Sequence, residues 1–358
     1  MAYSCGLVGL PNAGKSTLFR ALTGVPAQVG NYPFTTVAPQ RGQVPVEDER
    51  LFPIARVMGS ARVTPAVVEV VDVAGLVEGA SQGQGLGNRF LAQIREVDAL
   101  FHVVRCFPDA NVVHVTEQVS PARDAELVDT ELMLADLETL GRYEARLASL
   151  VKTGEPRWQE EAGRVRCLRE TLARGTPARL VGDEGALALA RRLNLLSAKP
   201  VLYVANVAEG EDVPADLVGY AARQRAPVHA FSARIEAELR ELDETERAAV
   251  IQDLGWPGDA PQRLVRAGYE LLGLITFFTA NENECRARSV RRGATAVEAA
   301  ARVHSDMARG FIRAEVVSAS DLLAAGSYQT ARERGLVRTE GRDYLVQDGD
   351  VLLFRFQR

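Results

Sequence analysis

The stretch Gly9–Ser16, GLPNAGKS, constrains this chain more than any other part of it. It fits the pattern G-x-x-x-x-G-K-[ST], and it lies between an apolar run, SCGLVGL, and a segment with helical spacing, KSTLFRALTG. Small residues in such a turn let backbone N–H groups point at phosphate oxygens, and the following helix adds its positive end. The alternative is a glycine-rich turn that binds nothing. We predict a phosphate-binding loop whose ligand contacts come from Asn12, Ala13, Gly14, Lys15, Ser16 and Thr17.

Two further segments have the positions expected of a nucleotide switch. Lys15 would reach the β- and γ-phosphates, and Ser16 would bind Mg²⁺ together with Asp72, which ends the apolar run AVVEVVD. Gly75 follows in D-x-x-G and would offer its N–H to the γ-phosphate. The earlier loop NYPFTTVAP places Thr35 or Thr36 within reach of the metal, and we predict Thr36 as its ligand.

The loop expected to read the base departs from the usual pattern. GTP-binding proteins of this architecture read guanine with N-K-x-D, and here the four residues are Asn206, Val207, Ala208 and Glu209. An amide side chain pairs well with N7 and the N6 amino group of adenine. The sequence therefore favours ATP over GTP, with Asn206, Val207, Glu209, Ser232 and Ala233 as the base-contacting set.

Apolar runs alternate with helical segments, which predicts an α/β fold with a mostly parallel sheet and helices on both faces. A helical stretch from Asp124 to Leu196 predicts an inserted coiled-coil hairpin; helices packed on the main core are the alternative. Short strands follow Gly273, with a single helix from a Thr295 cap to Gly310. We predict a nucleotide-binding domain (1–123 and 197–272), a helical insertion (124–196) and a C-terminal domain (273–358). The apolar stripe of the hairpin would be Leu127, Leu132, Leu134, Leu137 and Leu140.

Bulk composition excludes several classes of protein. A net charge of −5 over 358 residues argues against a surface that clamps nucleic acid throughout. The four cysteines are far apart, which indicates free thiols in a reducing compartment. We find no apolar stretch long enough to span a membrane and no secretory leader, so we expect a cytoplasmic protein that does not contact membranes.

Taken together, these motifs resemble the YchF (Obg-like ATPase) family of P-loop NTPases. The resemblance rests on GLPNAGKSTLF, NYPFTT, DVAGLVEGASQGQGLGNRFL, VVRCF, the N-x-x-E loop and SARIEAEL, and it covers nearly the whole chain. It implies an OBG-type G domain, a coiled-coil insertion and a C-terminal, β-grasp-like TGS domain. It also implies hydrolysis of ATP in preference to GTP, and association with ribosomes.

The resemblance also bears on catalysis. Leu76 stands where many GTPases have a glutamine that orients water, and a leucine cannot do this. The resemblance implies that His114 acts instead, beside Lys15 and Gly75; a core histidine among valines is the alternative. It further implies that Asn12 helps to bind K⁺, although a polar residue in a tight turn explains Asn12 equally well.

The leading hypothesis is a slow ATPase that binds a ribosomal partner in one nucleotide state. Candidate RNA contacts in the C-terminal domain, which are otherwise solvated surface, are Arg286, Arg288, Arg291 and Arg292. A metabolic phosphotransferase is a competing hypothesis, but we find no acceptor-binding motif. A GTP-specific translational GTPase and a nucleotide-binding scaffold without turnover, which Leu76 favours, remain as alternatives.

Overall fold

The computed structural model describes residues 2–25, 39–73, 86–108, 118–254 and 258–357, with only the backbone for 86–89. It divides into two compact units. The phosphate-loop unit comprises Ser4–Gly42 and Val70–Leu264; the C-terminal unit comprises Met1–Tyr3, Gln43–Glu69 and Val265–Arg358.

In chain order the elements are β1 (Tyr3–Val8), α1 (Lys15–Thr23), β2 (Gln40–Val46), α2 (Leu51–Val57), β3 (Arg62–Thr64), β4 (Ala66–Asp72), α3 (Leu86–Glu96), β5 (Ala99–Arg105), α4 (Pro121–Val151), α5 (Pro156–Ala173), α6 (Glu184–Arg192), β6 (Val201–Asn206), α7 (Ala215–Arg223), β7 (Val228–Phe231), α8 (Ala233–Leu239), α9 (Glu244–Leu254), α10 (Ala260–Leu271), β8 (Leu274–Ala280), β9 (Glu284–Arg291), α11 (Ala296–Val303), α12 (Ser305–Arg309), β10 (Phe311–Ser318), α13 (Ala319–Ala325), α14 (Tyr328–Glu333), β11 (Arg338–Glu340) and β12 (Asp350–Phe356). Two short 3₁₀ turns, Ala178–Leu180 and Leu196–Ala198, lie between α5 and β6.

One six-stranded sheet has the order β2-β4-β1-β5-β6-β7, and its neighbours β1, β5, β6 and β7 pair in parallel. Every residue of β1, β5 and β6 is buried, as expected for apolar strands covered on both faces. The predicted α/β fold is confirmed. Because parallel strands end at the same edge, the segments after β1, β5 and β6 come together there, which is where such sheets bind ligands.

The helical segment forms a hairpin of α4 and α5 with α6 packed beside it. The first half of α4 contributes Ala125, Val128 and Leu132 to the core of the sheet. Its second half contributes Leu140 and Leu147 to a separate core shared with α5 and α6. One half of α4 thus packs on the core of the sheet and the other half on a core shared with α5 and α6, and the coiled-coil insertion stays a prediction. None of the described helices has the length and apolar character needed to cross a membrane.

One residue of the predicted apolar stripe is misplaced. Leu132 and Leu140 are buried, whereas the side chain of Leu134 is exposed (42%). The reason is helical geometry: two residues advance the helix by about 200°, so Leu134 lies on the face opposite to Leu132.

The second sheet has the order β11-β10-β12-β8-β9-β3 and belongs to the C-terminal unit. Three predicted strands appear as β8, β10 and β12. The predicted single helix after Thr295 is wrong in one respect. Thr295 does form a capping box with Glu298, but the chain is extended at His304, whose Nδ1 accepts the N–H of Asp306 and begins a second helix, α12.

The C-terminal unit also takes in residues 43–69, which the sequence assigned to the nucleotide-binding domain. Strand β3 pairs in parallel with β9, and Arg50 bonds to Asp48 and to Asp348 while lying over the Phe278 ring. The contacts thus divide the chain differently from the motifs. The three-domain division stays a prediction.

Candidate nucleotide-binding site

The loop between β1 and α1 has the backbone that its glycines allow. Gly9 has φ +151°, and a Cβ at this position would lie 2.3 Å from the carbonyl oxygen of Val103 on β5. A side chain at Gly9 would therefore push the loop away from the sheet. Asn12 also has a positive φ, 61°, which asparagine tolerates better than most residues. The predicted strand–loop–helix context of the motif is confirmed.

Asn206, at the end of β6, ties three segments together. Its Nδ2 donates to the carbonyl oxygen of Ala13 at 3.0 Å, and its Oδ1 accepts the N–H of Ala233 at 3.1 Å. A Cβ on Gly14 (φ +98°) would lie 2.2 Å from Asn206 Nδ2, so only glycine permits this approach. The structure thus brings the phosphate loop, the base-reading loop and the start of α8 to one place.

Lys15 is the first residue of α1, and only 7% of it is exposed. Its Nζ donates to the carbonyl oxygens of Gly9 (3.0 Å) and Leu10 (2.7 Å). Burial lowers the pKa of Lys15 to about 8, while the nearby charge of Asp72 acts in the opposite direction. A buried amine held over the loop in this way is ready to meet a group with negative charge.

Ser16 and Asp72 form the second polar pair of the site. The Ser16 Oγ donates to Oδ2 of Asp72 at 2.8 Å, which joins the first turn of α1 to the end of β4. Burial raises the pKa of the Asp72 carboxyl, although the Ser16 hydrogen bond and Lys15 act against this rise. A hydroxyl and a carboxylate oxygen side by side are ligands that Mg²⁺ prefers, so these residues fit that ion.

The other predicted contacts have varied surroundings. Thr17 and Glu209 are exposed, whereas Ser232 and Ala233 are buried beside Asn206. Val207 packs in the core of the sheet, so its side chain does not replace the lysine of N-K-x-D at the base. The remaining predicted residues (Thr35, Thr36, Gly75, Leu76 and His114) lie outside the described residues, and their roles stay predictions.

Sequence reasoning missed the bond from Asn206 to Ala13. The available signal was Gly14, since a glycine at that motif position implies that another group approaches the backbone closely. The bond matters because it makes the base-reading loop part of the support of the phosphate loop.

Comparison with known proteins covers the full length. The chain is 44% identical over 364 residues to the "Ribosome-binding ATPase YchF" of Bacillus subtilis, with 99% of this chain and 100% of the relative covered. It is 45% identical to the Haemophilus influenzae protein of the same name, with 99% of both covered. The chain belongs to the YchF family.

Family models and a solved structure agree with this assignment. Residues 4–135 match the family MMR_HSR1, described as "50S ribosome-binding GTPase", and residues 274–357 match YchF-GTPase_C, described as "Protein of unknown function". The structure of the Schizosaccharomyces pombe YchF GTPase superimposes with a TM-score of 0.84 at 30% identity, covering 99% of this chain and 97% of the yeast chain. The bacterial relatives are thus named for ATP and the yeast relative for GTP.

Proposed function

We propose that this YchF protein binds ATP with Mg²⁺, hydrolyses it slowly to ADP and phosphate, and acts as a switch whose partner is the ribosome. The observation that carries the proposal is the convergence of Lys15, the Ser16–Asp72 pair and Asn206 on one loop. The names of the bacterial relatives support both ATP hydrolysis and ribosome binding. A ribosomal partner would place the protein in the cytoplasm.

Each described residue has a definite role in this proposal. The N–H groups of the loop and the N-terminus of α1 bind phosphate oxygens, and the Lys15 ammonium compensates the charge of the β- and γ-phosphates. Ser16 Oγ and an Asp72 carboxylate oxygen would hold Mg²⁺, which when bound neutralises charge on the terminal phosphates. Water is the acceptor of the γ-phosphoryl group. Gly75 and Thr36 are assigned to the γ-phosphate and the metal by their motif positions, and His114 is assigned to the water by resemblance.

The preference for ATP rests on the base-reading loop. Asn206 uses one of its two N–H groups on Ala13 and one lone pair on Ala233. One donor and one acceptor remain, and these match N7 and the N6 amino group of adenine. Val207 lies in the core and cannot stack on a base as lysine does, so the guanine-reading pattern is incomplete.

Calorimetry on nucleotide-free protein with Mg²⁺ tests the nucleotide. Tighter binding of ATP than of GTP supports the proposal, and the reverse order favours a GTPase, as the name of the yeast relative indicates. Phosphate release in a single turnover, without any acceptor, then separates a hydrolase from a phosphotransferase. If no phosphate is released even with ribosomes and K⁺ present, the result favours the hypothesis of a nucleotide-binding scaffold without turnover. Equal rates in matched Na⁺ and K⁺ buffers would remove the role of K⁺ at Asn12.

RNA contact through the proposed TGS domain has partial support. Arg286, Arg291 and Arg292 are exposed on and just after β9. Arg288 is half-buried and donates to Thr279 Oγ1 and to the carbonyl oxygen of Arg302, so its guanidinium already supports the fold. Co-sedimentation with ribosomal subunits at low and high salt tests the contact. We expect Arg286→Glu to weaken it, whereas Arg288→Lys would chiefly lower stability.

A further inference from the structure

A group of buried polar side chains adjoins the phosphate loop and has no part in the chemistry described above. His102 on β5 pairs in register with Val8, the residue before Gly9, on one side and with Tyr203 of β6 on the other. The exposed fraction of His102 is 1%, and its ring lies 5.2 Å from that of Tyr203 between centroids. A histidine inside a fully buried strand needs polar or charged groups near its ring nitrogens.

The charged group near His102 is the carboxylate of Asp129 on α4, a residue that is 4% exposed. Its Oδ2 accepts the hydroxyls of Tyr203 (2.5 Å) and Tyr220 (2.8 Å), and its Oδ1 lies 3.6 Å from Nδ1 of His102. That nitrogen has no hydrogen-bond partner within the part of the chain that the structure describes. Burial alone would raise the pKa of Asp129, but His102, Arg179 and Tyr203 together lower it.

A buried carboxylate of this kind fixes the groups around it. Its contacts hold α4 against β5, β6 and α7, and removing a partner of a buried charged group destabilises a fold because the charge loses compensation. The position of α4 on the sheet is therefore closely tied to the position of the His102 ring.

The same histidine lines a small cavity together with residues of the phosphate loop. A cavity of about 10 Å³ is lined by Leu10, Pro11 and Ala13 of the loop, by His102, Val103, Val104 and Arg105 of β5, and by Asp124 of α4. This is about the space of one water molecule, so His102 and the loop residues are separated at most by a void of that size. Closely packed protein interiors transmit displacements rather than absorb them. His102 is also paired in register with Val8, directly before Gly9, so a shift of His102 would displace the start of the loop.

We propose that His102 and Asp129 are positioning residues for the phosphate loop. They act through Leu10, Pro11 and Ala13, and touch neither nucleotide nor metal. Because α4 continues from this pair into the second core, the pair also joins the helical hairpin to the loop. The inference rests on the nucleotide binding and hydrolysis proposed above.

The test compares turnover, nucleotide affinity and stability in matched variants. His102→Leu removes the polar ring that faces Oδ1 of Asp129, whose Oδ2 keeps its bonds from Tyr203 and Tyr220. His102→Asn keeps an N–H near the position of Nδ1, and Asp129→Asn in the His102→Leu background removes the buried charge. Ser197→Ala is the control, since it removes a hydroxyl bonded to Asp136, a buried carboxylate two turns further along α4.

We expect His102→Leu to slow single-turnover hydrolysis of saturating ATP by about 10- to 100-fold, the range seen for misplacement near 1 Å. His102→Asn, and Asp129→Asn in the His102→Leu background, should each restore most of the rate. Ser197→Ala should lower only the melting temperature. If His102→Leu does not fold, Tyr220→Phe removes one hydroxyl from Asp129 and should slow turnover to a smaller extent.

Turnover equal to wild type at equal folded fraction, or a loss that Ser197→Ala matches, would overturn the positioning role. A wild-type protein that hydrolyses neither ATP nor GTP overturns the proposed function instead. The Kd values for Mg-ATP then decide the inference. Weaker binding in His102→Leu, restored by His102→Asn, supports it, and Kd values equal to wild type overturn it.

Discussion

Asn206→Ala separates two roles that the structure gives to one amide. The change deletes both hydrogen bonds of the side chain and leaves the carbonyl of Ala13 and the N–H of Ala233 unpaired in a place where Asn206 is 5% exposed. Each unpaired buried group costs about 1–3 kcal/mol. If nucleotide binding must restore even one such group to its place, the affinity falls by about 5-fold or more.

The assay is calorimetry with Mg²⁺ and three ligands: ATP, GTP and inorganic triphosphate. If Asn206 only supports the phosphate loop, the three Kd values rise by the same factor. If it also reads adenine, ATP loses more affinity than triphosphate, and the ratio of the ATP and GTP affinities moves toward one. Thr171→Val serves as a control for general loss of stability, because it removes a buried hydroxyl within α5 that donates to the carbonyl oxygen of Cys167.

A result in which triphosphate binds equally to both proteins would refute the support role. The bond to Ala13 would then be a consequence of the fold with no bearing on phosphate binding. Unchanged affinity for all three ligands would refute both roles and leave the ATP preference without a residue to carry it.

Two predictions concern protons. Since burial lowers the pKa of Lys15 to about 8, half of the free protein carries a neutral amine at pH 8, and a bound triphosphate should restore the charge. We expect uptake of about half a proton per ATP at pH 8, measured by calorimetry in buffers of different ionisation enthalpy, and none in Lys15→Met. Burial raises the pKa of Asp136 to about 6 despite its bonds from Ser197 and Leu196, so the folded state binds this proton more tightly than the unfolded state. Its ionisation therefore lowers the free energy of unfolding of the wild type as pH rises, by about 2 kcal/mol between pH 4.5 and 7. In urea titrations, the free energy of unfolding of the wild type minus that of Asp136→Asn should fall by the same amount over this range. A constant difference would contradict the burial argument.

Features that depend on a few consecutive residues could be predicted from the sequence. The buried strands β1, β5 and β6, the phosphate loop and the capping box at Thr295 follow from apolar runs, motif spacing and local hydrogen bonds. Details within a helix were less certain. At His304 a single residue leaves the helical φ/ψ region, and its own side chain caps the next helix by accepting the N–H of Asp306. Histidine is not among the usual N-cap residues, so the sequence gives no signal for this break.

Long-range pairing could not be predicted. Nothing in the three residues Arg62–Thr64 indicates that they pair with β9, more than 200 residues later in the chain. The link from Asn206 to Ala13 is of the same kind, since it requires knowing that the ends of β1 and β6 lie at one edge of the sheet. The His102–Asp129 contact also required the fold, because a lone histidine in ALFHVVR carries no mark of its partner.

The division of the C-terminal unit has a consequence for truncation. The domain division predicted from the sequence puts residues 43–69 in the nucleotide-binding domain, before the boundary at Gly273. The structure instead places Leu51 and Ile54 of α2, both buried, in one unit with β9, and Arg50 has its partner Asp348 beyond the boundary. A chain ending at Leu272 should therefore expose α2 and β3.

We expect rapid hydrogen exchange in residues 51–64 of that truncated chain, measured by mass spectrometry, with protection retained in β1 and β5. Arg50→Ala in the full chain is the milder matched change, since it removes the bonds to Asp48 and Asp348 but keeps β9. It should increase exchange in the same region to a smaller degree. Equal protection of residues 51–64 with and without the C-terminal residues would show that this segment is stabilised by the nucleotide-binding domain, as the sequence boundaries predict.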